Sequence, residues 1–169
     1  QAARVAFSTA IHSDLDLLLK VGVPCVKVGS DDLTNYSLIK SYASHGIPVI
    51  LSTGMADPED VVNAAETAEC AGAGVVVLAC TSEYPTPPER ANVARINTLR
   101  DLLPGVPIGY SDHTQGQAAA TAATALGACY LEKHFTLNNA ARGPDHAFSA
   151  SPIDLRGWAA AIRNTRRVL

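Results

Sequence analysis

Short apolar segments alternate with longer amphipathic segments six times along this chain, about every 20 to 30 residues. Each apolar segment has four to six residues and few charges, which is typical of parallel strands that are covered on both faces. Several of the longer segments begin with a helix-start pattern, such as Asp57 followed by Pro58. The strict alternation predicts an α/β fold with a parallel sheet and right-handed crossovers.

We predict strands over residues 4–7, 24–28, 48–51, 74–79, 107–110 and 128–131, and helices over residues 13–20, 36–45, 58–71, 89–102, 117–126 and 153–168. Two architectures contain such a pattern, a doubly wound open sheet and a (β/α)8 TIM barrel. No glycine-rich dinucleotide motif or P-loop follows the first strand, whereas polar residues follow nearly every strand. We therefore expect one partial TIM-barrel domain over residues 1–169, with about six βα units and the first two missing.

The composition restricts the partners and the compartment that we expect. The chain is 47% hydrophobic and 17% charged with a formal net charge of −3, which gives no reason to expect a nucleic acid or a membrane as partner. No apolar run approaches the about 18 residues of a membrane span, and the first residues contain no apolar core of a signal peptide. The four cysteines form no CxxC pair, so we expect reduced core cysteines in a cytoplasmic protein rather than disulfides or a thiolate metal site.

Two histidines follow consecutive predicted strands, His113 after residues 107–110 and His134 after residues 128–131. The carboxyl ends of parallel strands meet at one edge of the sheet, so the two imidazoles are expected to come together there. Neutral imidazoles in that position can bind one divalent metal and leave coordination positions for water and substrate, which suits an exchangeable ion such as Mn²⁺. Asp112 and Glu132 are either partners that fix the imidazoles or helix-cap residues.

Other predicted strands also end in polar residues. Lys27 is predicted either to bind a phosphate or carboxylate or to form a Schiff base. Ser52 begins a hydroxyl-rich junction that can donate hydrogen bonds to an anion, and Tyr84 lies in a proline-rich loop. Asp145, on the loop after the last strand, is a candidate to hold a polyol hydroxyl or to act as a base. Trp158 is most simply a core anchor of the last helix.

Six motifs, taken together and in order, resemble the N-acetylneuraminate (sialic acid) synthase family. They are KVGSDDLTN, PVILSTGM, CTSEYPTPPE, PIGYSDHT, LEKHFTL and GPDHAFS, and they extend through nearly the whole chain. The resemblance implies an enzyme that condenses phosphoenolpyruvate with an N-acetylated hexosamine, such as N-acetylmannosamine, to give a sialic acid-type nonulosonic acid and phosphate. It also implies a (β/α)8 barrel of which this chain holds strands three to eight, without the C-terminal antifreeze-like domain of the family, and a homodimer at full length.

The resemblance further implies roles for single residues. Lys27 and Ser30 resemble a phosphoenolpyruvate-binding lysine and serine, so that Lys27 would be an electrostatic group and not a Schiff-base former. His113 and His134 resemble two histidines that bind Mn²⁺ or Mg²⁺. Further contacts to the phosphate, the carboxylate or the acceptor sugar are implied for Ser8, Asp32, Ser52, Ser82, Tyr84, Ser111 and Asp145. Ser82 stands where some relatives have Asn, and Asp32 where they often have Glu; Lys27, Asp32 and Asp145 are the candidate catalytic residues.

The chemistry that the resemblance implies agrees with the residue types. A lysine with several hydroxyl donors suits phosphoenolpyruvate, and a divalent ion would polarise the open-chain aldehyde of the amino sugar. C3 of phosphoenolpyruvate would attack that aldehyde, C2 would take up water, and phosphate would leave with C–O cleavage.

Two other functions stay open from the sequence. The first is a class I aldolase that uses Lys27, and the second is a truncated barrel without catalysis that binds a sugar or a partner chain. The acceptor also stays open among N-acetylmannosamine, its 6-phosphate, and the di-acetamido sugars of legionaminic- or pseudaminic-type pathways.

Overall fold

The structure, a computed structural model, describes the backbone of Phe7–Ser8 and all of residues 15–169. These residues fall into two compact units. Unit one comprises Gln1–Leu78 and Leu102–Pro107, and unit two comprises Ala79–Asp101 and Ile108–Leu169. In the part of the chain that is described, no helix is both long and apolar enough to cross a membrane.

Unit one is built from βα repeats. Its elements are β1 (Phe7–Ser8), α1 (Leu15–Val21), β2 (Val26–Val28), α2 (Tyr36–Ala43), β3 (Val49–Ser52), α3 (Pro58–Cys70) and β4 (Val75–Cys80), whose last two residues belong to unit two. The strands pair in parallel in the order β1-β2-β3-β4. Every residue of β2 and β3 is buried, as the apolar segments predict for strands covered on both faces.

Unit two carries the two strands that end in histidines. It contains a 3₁₀ helix (Pro88–Arg90), α4 (Arg95–Leu102, its last residue in unit one), β5 (Ile108–Asp112), α5 (Ala118–Ala125), β6 (Leu131–Lys133) and α6 (Pro152–Val168). β5 is buried at every residue and pairs in parallel with β6, with Ser111 opposite Glu132 and Asp112 opposite Lys133. Helices α5 and α6 pack against each other.

The structure corrects two predicted elements. The helix predicted over residues 89–102 is divided, because Asn92 has a φ of 45° and this left-handed residue separates the 3₁₀ helix from α4. The strand predicted over residues 128–131 instead runs through Leu131–Lys133. Sequence reasoning ended that strand at its first charged residue, whereas the structure places Glu132 and Lys133 inside it and satisfies both with side-chain partners.

The four cysteines are free, as expected, but only Cys80 is buried. Cys25 is half-buried, and Cys70 and Cys129 are exposed, so the expectation of core cysteines holds for one of the four. Cys129 directly follows Ala128, the first residue after the helix stop at Gly127, which has a φ of 87°. The apolar run around Cys129 therefore does not predict burial of its side chain, although the Cys129 N–H donates to the Ile108 carbonyl of β5.

The start of α6 is held by a reciprocal capping box. Asp154 N donates to Ser151 Oγ at 3.3 Å, and Ser151 N donates to Asp154 Oδ2 at 3.1 Å. We expect Ser151→Ala to lower the free energy of unfolding by about 1 kcal/mol, measured by urea denaturation. Ser37→Ala on the exposed surface of α2 is the control and should leave the unfolding midpoint unchanged.

The same box predicts a pH dependence. The hydroxyl and backbone N–H of Ser151 hold the pKa of Asp154 below its usual value of 3.8. A carboxyl whose pKa is lowered by folding contributes stability above its unfolded pKa and loses it as the pH falls through the folded one. The difference between wild type and Ser151→Ala should therefore shrink below about pH 4; a difference that grows with acid would contradict the box.

Candidate active site

His113 and His134 lie side by side in unit two, as the sequence predicts. Their ring centroids are 5.3 Å apart and their planes are inclined by 64°. Each follows directly after the last residue of its strand, and the parallel pairing of β5 with β6 brings the two strand ends together. His113 is 7% exposed, whereas the His134 side chain is 33% exposed. One imidazole is therefore fixed in the interior and the other faces an opening.

The hydrogen bonding of His113 fixes which ring nitrogen carries the proton. Nδ1 lies 2.7 Å from the carbonyl oxygen of Thr81, and a carbonyl only accepts, so Nδ1 is the donor. Burial is the main cause that lowers the pKa of His113 below its usual value of 6.5, and His134 contributes in the same direction, although the bond to Thr81 opposes them. The ring is therefore neutral at neutral pH, and Nε2 carries a lone pair that can bind a metal.

Ser111 lies two residues before His113 and on the same face of β5. Its Oγ is 2.6 Å from Glu132 Oε2 and 3.3 Å from His113 Nε2. A serine has one hydroxyl hydrogen, and the shorter contact to a charged oxygen assigns that hydrogen to Glu132. The lone pair of Nε2 then faces a lone pair of Oγ without a hydrogen between them. A cation would remove this repulsion, so the donor set fits a divalent ion.

Any ion at this place would have few protein ligands. Within residues 15–169, no group of three or more His, Cys, Asp or Glu side chains is arranged to hold a metal. Asp145 Oδ2 is 3.7 Å from His134 Nδ1, which is beyond hydrogen-bond distance, and the Asp145 side chain is 59% exposed. The two imidazoles therefore fit an open, exchangeable site, in which most positions are left to water or substrate.

Two aromatic rings cover the histidine pair. The Tyr84 ring centroid is 4.2 Å from that of His113 and 5.6 Å from that of His134, and Phe148 is 5.1 Å from His134. Partial burial raises the pKa of the Tyr84 phenol above its usual value of 10.0. The phenol therefore stays protonated at neutral pH and remains a neutral hydrogen-bond donor beside the imidazoles; Ser82 hydrogen-bonds to it.

The reverse face of β5 and β6 holds a second polar cluster, which we call the reverse-face cluster and which consists of Asp112, Thr114, Lys133 and Trp158. Asp112 and Lys133 form an ion pair with 3.0 Å between Oδ2 and Nζ. Trp158 Nε1 donates to the same carboxylate oxygen at 2.8 Å. Trp158 is 7% exposed, as expected for a core anchor of the last helix, and its bond to Asp112 is a further role that the sequence did not indicate. The sequence did place Asp112 next to the histidine, but it gave no sign of a partner 46 residues away.

The candidate residues of unit one occupy the ends of its strands. Lys27 is buried on β2, where its Nζ donates to the Val28 carbonyl at 2.8 Å, and Ser52 is the buried last residue of β3. Ser30 and Asp32 are half-buried in the turn that follows β2. The side chain of Ser8 lies outside the described residues. Unit one therefore presents a lysine, hydroxyls and a carboxylate at successive strand ends.

The NeuB family model matches residues 4–169 of this chain. The chain belongs to the NeuB family. This NeuB chain is 37% identical to N,N'-diacetyllegionaminic acid synthase of Legionella pneumophila over 163 residues, which are 94% of the chain and 46% of that protein. It is 36% identical to the human N-acetylneuraminate-9-phosphate synthase over 166 residues, 96% of the chain and 46% of that protein. The chain thus spans about half the length of the curated relatives it matches.

A solved NeuB-type structure has the same fold. The N-acetylneuraminic acid synthetase of Leptospira borgpetersenii, determined in complex with citrate, matches with a TM-score of 0.88 and 32% identity over 95% of this chain and 56% of that one. The α/β fold with parallel strands that we predicted from the sequence is therefore confirmed. The homologues are synthases of sialic acid type, and family membership confirms the resemblance that the six motifs carry.

Proposed function

We propose that this NeuB chain forms the catalytic part of a metal-dependent synthase, which condenses phosphoenolpyruvate with an N-acetylated hexosamine to give a nonulosonic acid and phosphate. The observation that carries the proposal is the pair of imidazoles at neighbouring strand ends, His113 and His134, whose ring centroids are 5.3 Å apart, with His113 Nδ1 bonded to the Thr81 carbonyl. That arrangement favours a cation at the strand ends of a family whose named members are sialic acid-type synthases.

His113 and His134 would hold the ion, which we propose to be Mn²⁺ or Mg²⁺. When bound, it would polarise the aldehyde oxygen of the open-chain sugar. His113 is suited to this because its Nδ1–H is engaged by the Thr81 carbonyl, so the opposite nitrogen is fixed as the ligand. The exposed side of His134 would leave room for an exchangeable ion and for the sugar.

The phosphoenolpyruvate anion would be bound by the lysine and the hydroxyl groups. Lys27 and Ser30 are the proposed main contacts, and Ser8, Ser52, Ser82 and Ser111 are proposed to add further ones. A lysine ammonium binds phosphate as a point charge, and the hydroxyls other than that of Ser111, whose hydrogen is donated to Glu132, supply directional donors. Under this proposal Lys27 acts electrostatically and forms no covalent bond with the substrate.

The acceptor sugar would be held beside the histidine pair. The neutral phenol of Tyr84 and the exposed carboxylate of Asp145 are the proposed contacts, and Asp32 is a third candidate.

The proposed reaction balances without a redox partner. C3 of phosphoenolpyruvate forms the new carbon–carbon bond with the aldehyde carbon of the sugar, whose oxygen takes up a proton. C2 becomes electron-deficient, water adds to it, and the C2–O bond to phosphate then breaks. The products are one nonulosonic acid and one inorganic phosphate.

We make three further proposals about the protein at its natural length. We propose that residues 1–169 form part of a (β/α)8 barrel, that the protein is a homodimer, and that it is cytoplasmic. The proposal of a barrel rests on the parallel βα repeats of each unit together with the likeness to the solved synthetase.

Phosphate release by the protein at its natural length tests the proposed function. We expect release from phosphoenolpyruvate only when Mn²⁺ or Mg²⁺ and an acceptor are both present. N-acetylmannosamine, its 6-phosphate and 2,4-diacetamido sugars are offered separately, because relatives with different named products match equally well. Absence of release with every acceptor would contradict the proposal. Borohydride trapping of pyruvate on Lys27, without a metal requirement, would instead support an aldolase.

A further inference from the structure

The two polar clusters of unit two lie on opposite faces of the same strand ends. Side chains alternate along a strand, so Ser111 and His113 point to one side of β5 and Asp112 points to the other. On β6, Lys133 points to the side of Asp112, because the two residues are paired in register and their side chains touch. Asp112 directly precedes His113, and Lys133 directly precedes His134. Each histidine is therefore one peptide bond away from a residue of the reverse-face cluster.

Asp112 is the centre of the reverse-face cluster and is 1% exposed. Its Oδ2 accepts from Lys133 Nζ at 3.0 Å and from Trp158 Nε1 at 2.8 Å. Its Oδ1 accepts from Thr114 N at 2.9 Å and from Thr114 Oγ1 at 2.7 Å. Both oxygens of the buried carboxylate thus have two donors each, which come from Thr114 just after β5, from Lys133 on β6 and from Trp158 on α6.

Lys133, on β6, bonds to two residues at the end of β5. Its side chain is 8% exposed, and besides Asp112 it donates to the Thr114 carbonyl on the β5 side. An amine with several fixed acceptors has little freedom to move. Because a shift of one residue between β5 and β6 would turn Lys133 to the opposite face, the pair also fixes the register that places His113 beside His134.

Burial of a hydrophobic helix does not require such a cluster. Desolvation of an ion pair is costly, and buried pairs can often be replaced by apolar residues without a loss of stability. A phenylalanine at position 158 would cover nearly the same apolar surface as the indole. What the indole N–H and the ion pair add is a fixed geometry, since each bond has a preferred length and direction.

We infer that Trp158 is a positioning residue of the histidine pair, and that it acts through Asp112 and Lys133. Its indole N–H holds the carboxylate of Asp112, the carboxylate holds Lys133, and the two strand ends are thereby kept at the spacing that lets both imidazoles reach one ion. This inference rests on the proposed function for the identity of the ion, but the spacing of the rings can be measured without any metal.

The test compares Trp158→Phe with Ser151→Ala in the protein at its natural length. Trp158→Phe keeps a ring and loses only the N–H donor and some volume, whereas Ser151→Ala loosens the start of the same helix without touching the cluster. Mn²⁺ affinity is followed by the electron paramagnetic resonance of the free ion. The imidazole nitrogens of ¹⁵N-histidine protein are followed by nuclear magnetic resonance in the absence of metal.

For Trp158→Phe we expect Mn²⁺ affinity to fall by about 10-fold or more, which is the usual effect of mutating a residue that supports a metal ligand from outside the coordination shell. We also expect the ring resonances of His113 and His134 to move, and kcat to fall while the KM for phosphoenolpyruvate changes little. Ser151→Ala should lower thermal stability and leave the affinity and both rings as in wild type.

Two results would overturn the inference. One is a Trp158→Phe protein with wild-type Mn²⁺ affinity and wild-type ring resonances. The other is a Ser151→Ala protein that changes the rings as much as Trp158→Phe does, since helix stability alone would then explain the effect. If wild type binds no Mn²⁺ but Trp158→Phe still moves both rings, the positioning role stands and the proposed metal site is wrong.

Discussion

Alanine at position 113 or 134 is expected to abolish phosphate release from phosphoenolpyruvate in the protein at its natural length. Each change removes one of the two imidazoles that lie 5.3 Å apart, and a single imidazole cannot hold an exchangeable ion with useful affinity. Mutation of a residue that hydrogen-bonds to a metal ligand already lowers metal affinity or activity by about 10- to 100-fold. Loss of a ligand itself should therefore lower kcat/KM by more than about 100-fold. Initial rates with saturating Mn²⁺ and acceptor measure the effect.

His45→Ala is the matched control for these two variants. His45 is exposed after α2 in unit one, and its Nδ1 contacts the Ser41 carbonyl and the Ser44 hydroxyl of the same helix end. Its rate should equal that of wild type. Far-ultraviolet circular dichroism checks that His113→Ala is folded, because the ring is buried and bonded to Thr81. Folded variants that keep their turnover would show that the histidine pair is structural.

Lys133→Met is expected to destabilise the protein by about 3 kcal/mol, the largest effect on folding that we anticipate. Methionine has a similar length, but it leaves Asp112 buried with a charge that has lost its counter-ion. Breaking one side of a buried ion pair costs more than removing both, because the remaining charge is still desolvated. Urea denaturation of the protein at its natural length measures the change in the free energy of unfolding.

A double-mutant cycle separates this effect from loss of packing. Asp112→Asn keeps the shape of the carboxylate and removes its charge, so Lys133→Met combined with Asp112→Asn should cost less than the sum of the two single changes. Lys40→Met, on the exposed surface of α2, is the control and should be near neutral. Additive losses in the cycle would mean that the ion pair contributes nothing beyond the volume of its side chains.

Periodicity predicted the order of the elements because it reports burial along a local stretch of chain. Continuous apolar runs became strands whose residues are buried, as in β3 and β5. The same rule placed His113 and His134 at neighbouring strand ends, since in a parallel sheet the carboxyl ends share an edge. It failed where a polar residue belongs to a strand, as at Glu132, or where a left-handed residue interrupts a helix, as at Asn92.

Partners that are distant in sequence could not be predicted in this way. Thr81 fixes the tautomer of His113 from 32 residues away, and it does so with a backbone carbonyl, which every residue possesses. Trp158 reaches Asp112 from α6, and neither the amphipathic pattern of that helix nor the apolar run of β5 specifies which faces meet. Alternation along β5 and β6 does contain one usable sign, because it puts Asp112 and Lys133 opposite the face of the histidines.

Whether this site condenses phosphoenolpyruvate with an amino sugar is tested most directly with phosphoenolpyruvate that carries ¹⁸O in the oxygen between C2 and phosphorus. The labelled compound is incubated with Mn²⁺, N-acetylmannosamine or a diacetamido sugar, and the protein at its natural length, and the released phosphate is analysed by mass spectrometry. Condensation with C–O cleavage is expected to place the ¹⁸O in the phosphate, in amounts equal to the nonulosonic acid formed. Unlabelled phosphate, or phosphate released without a nonulosonic acid, would contradict the proposed condensation.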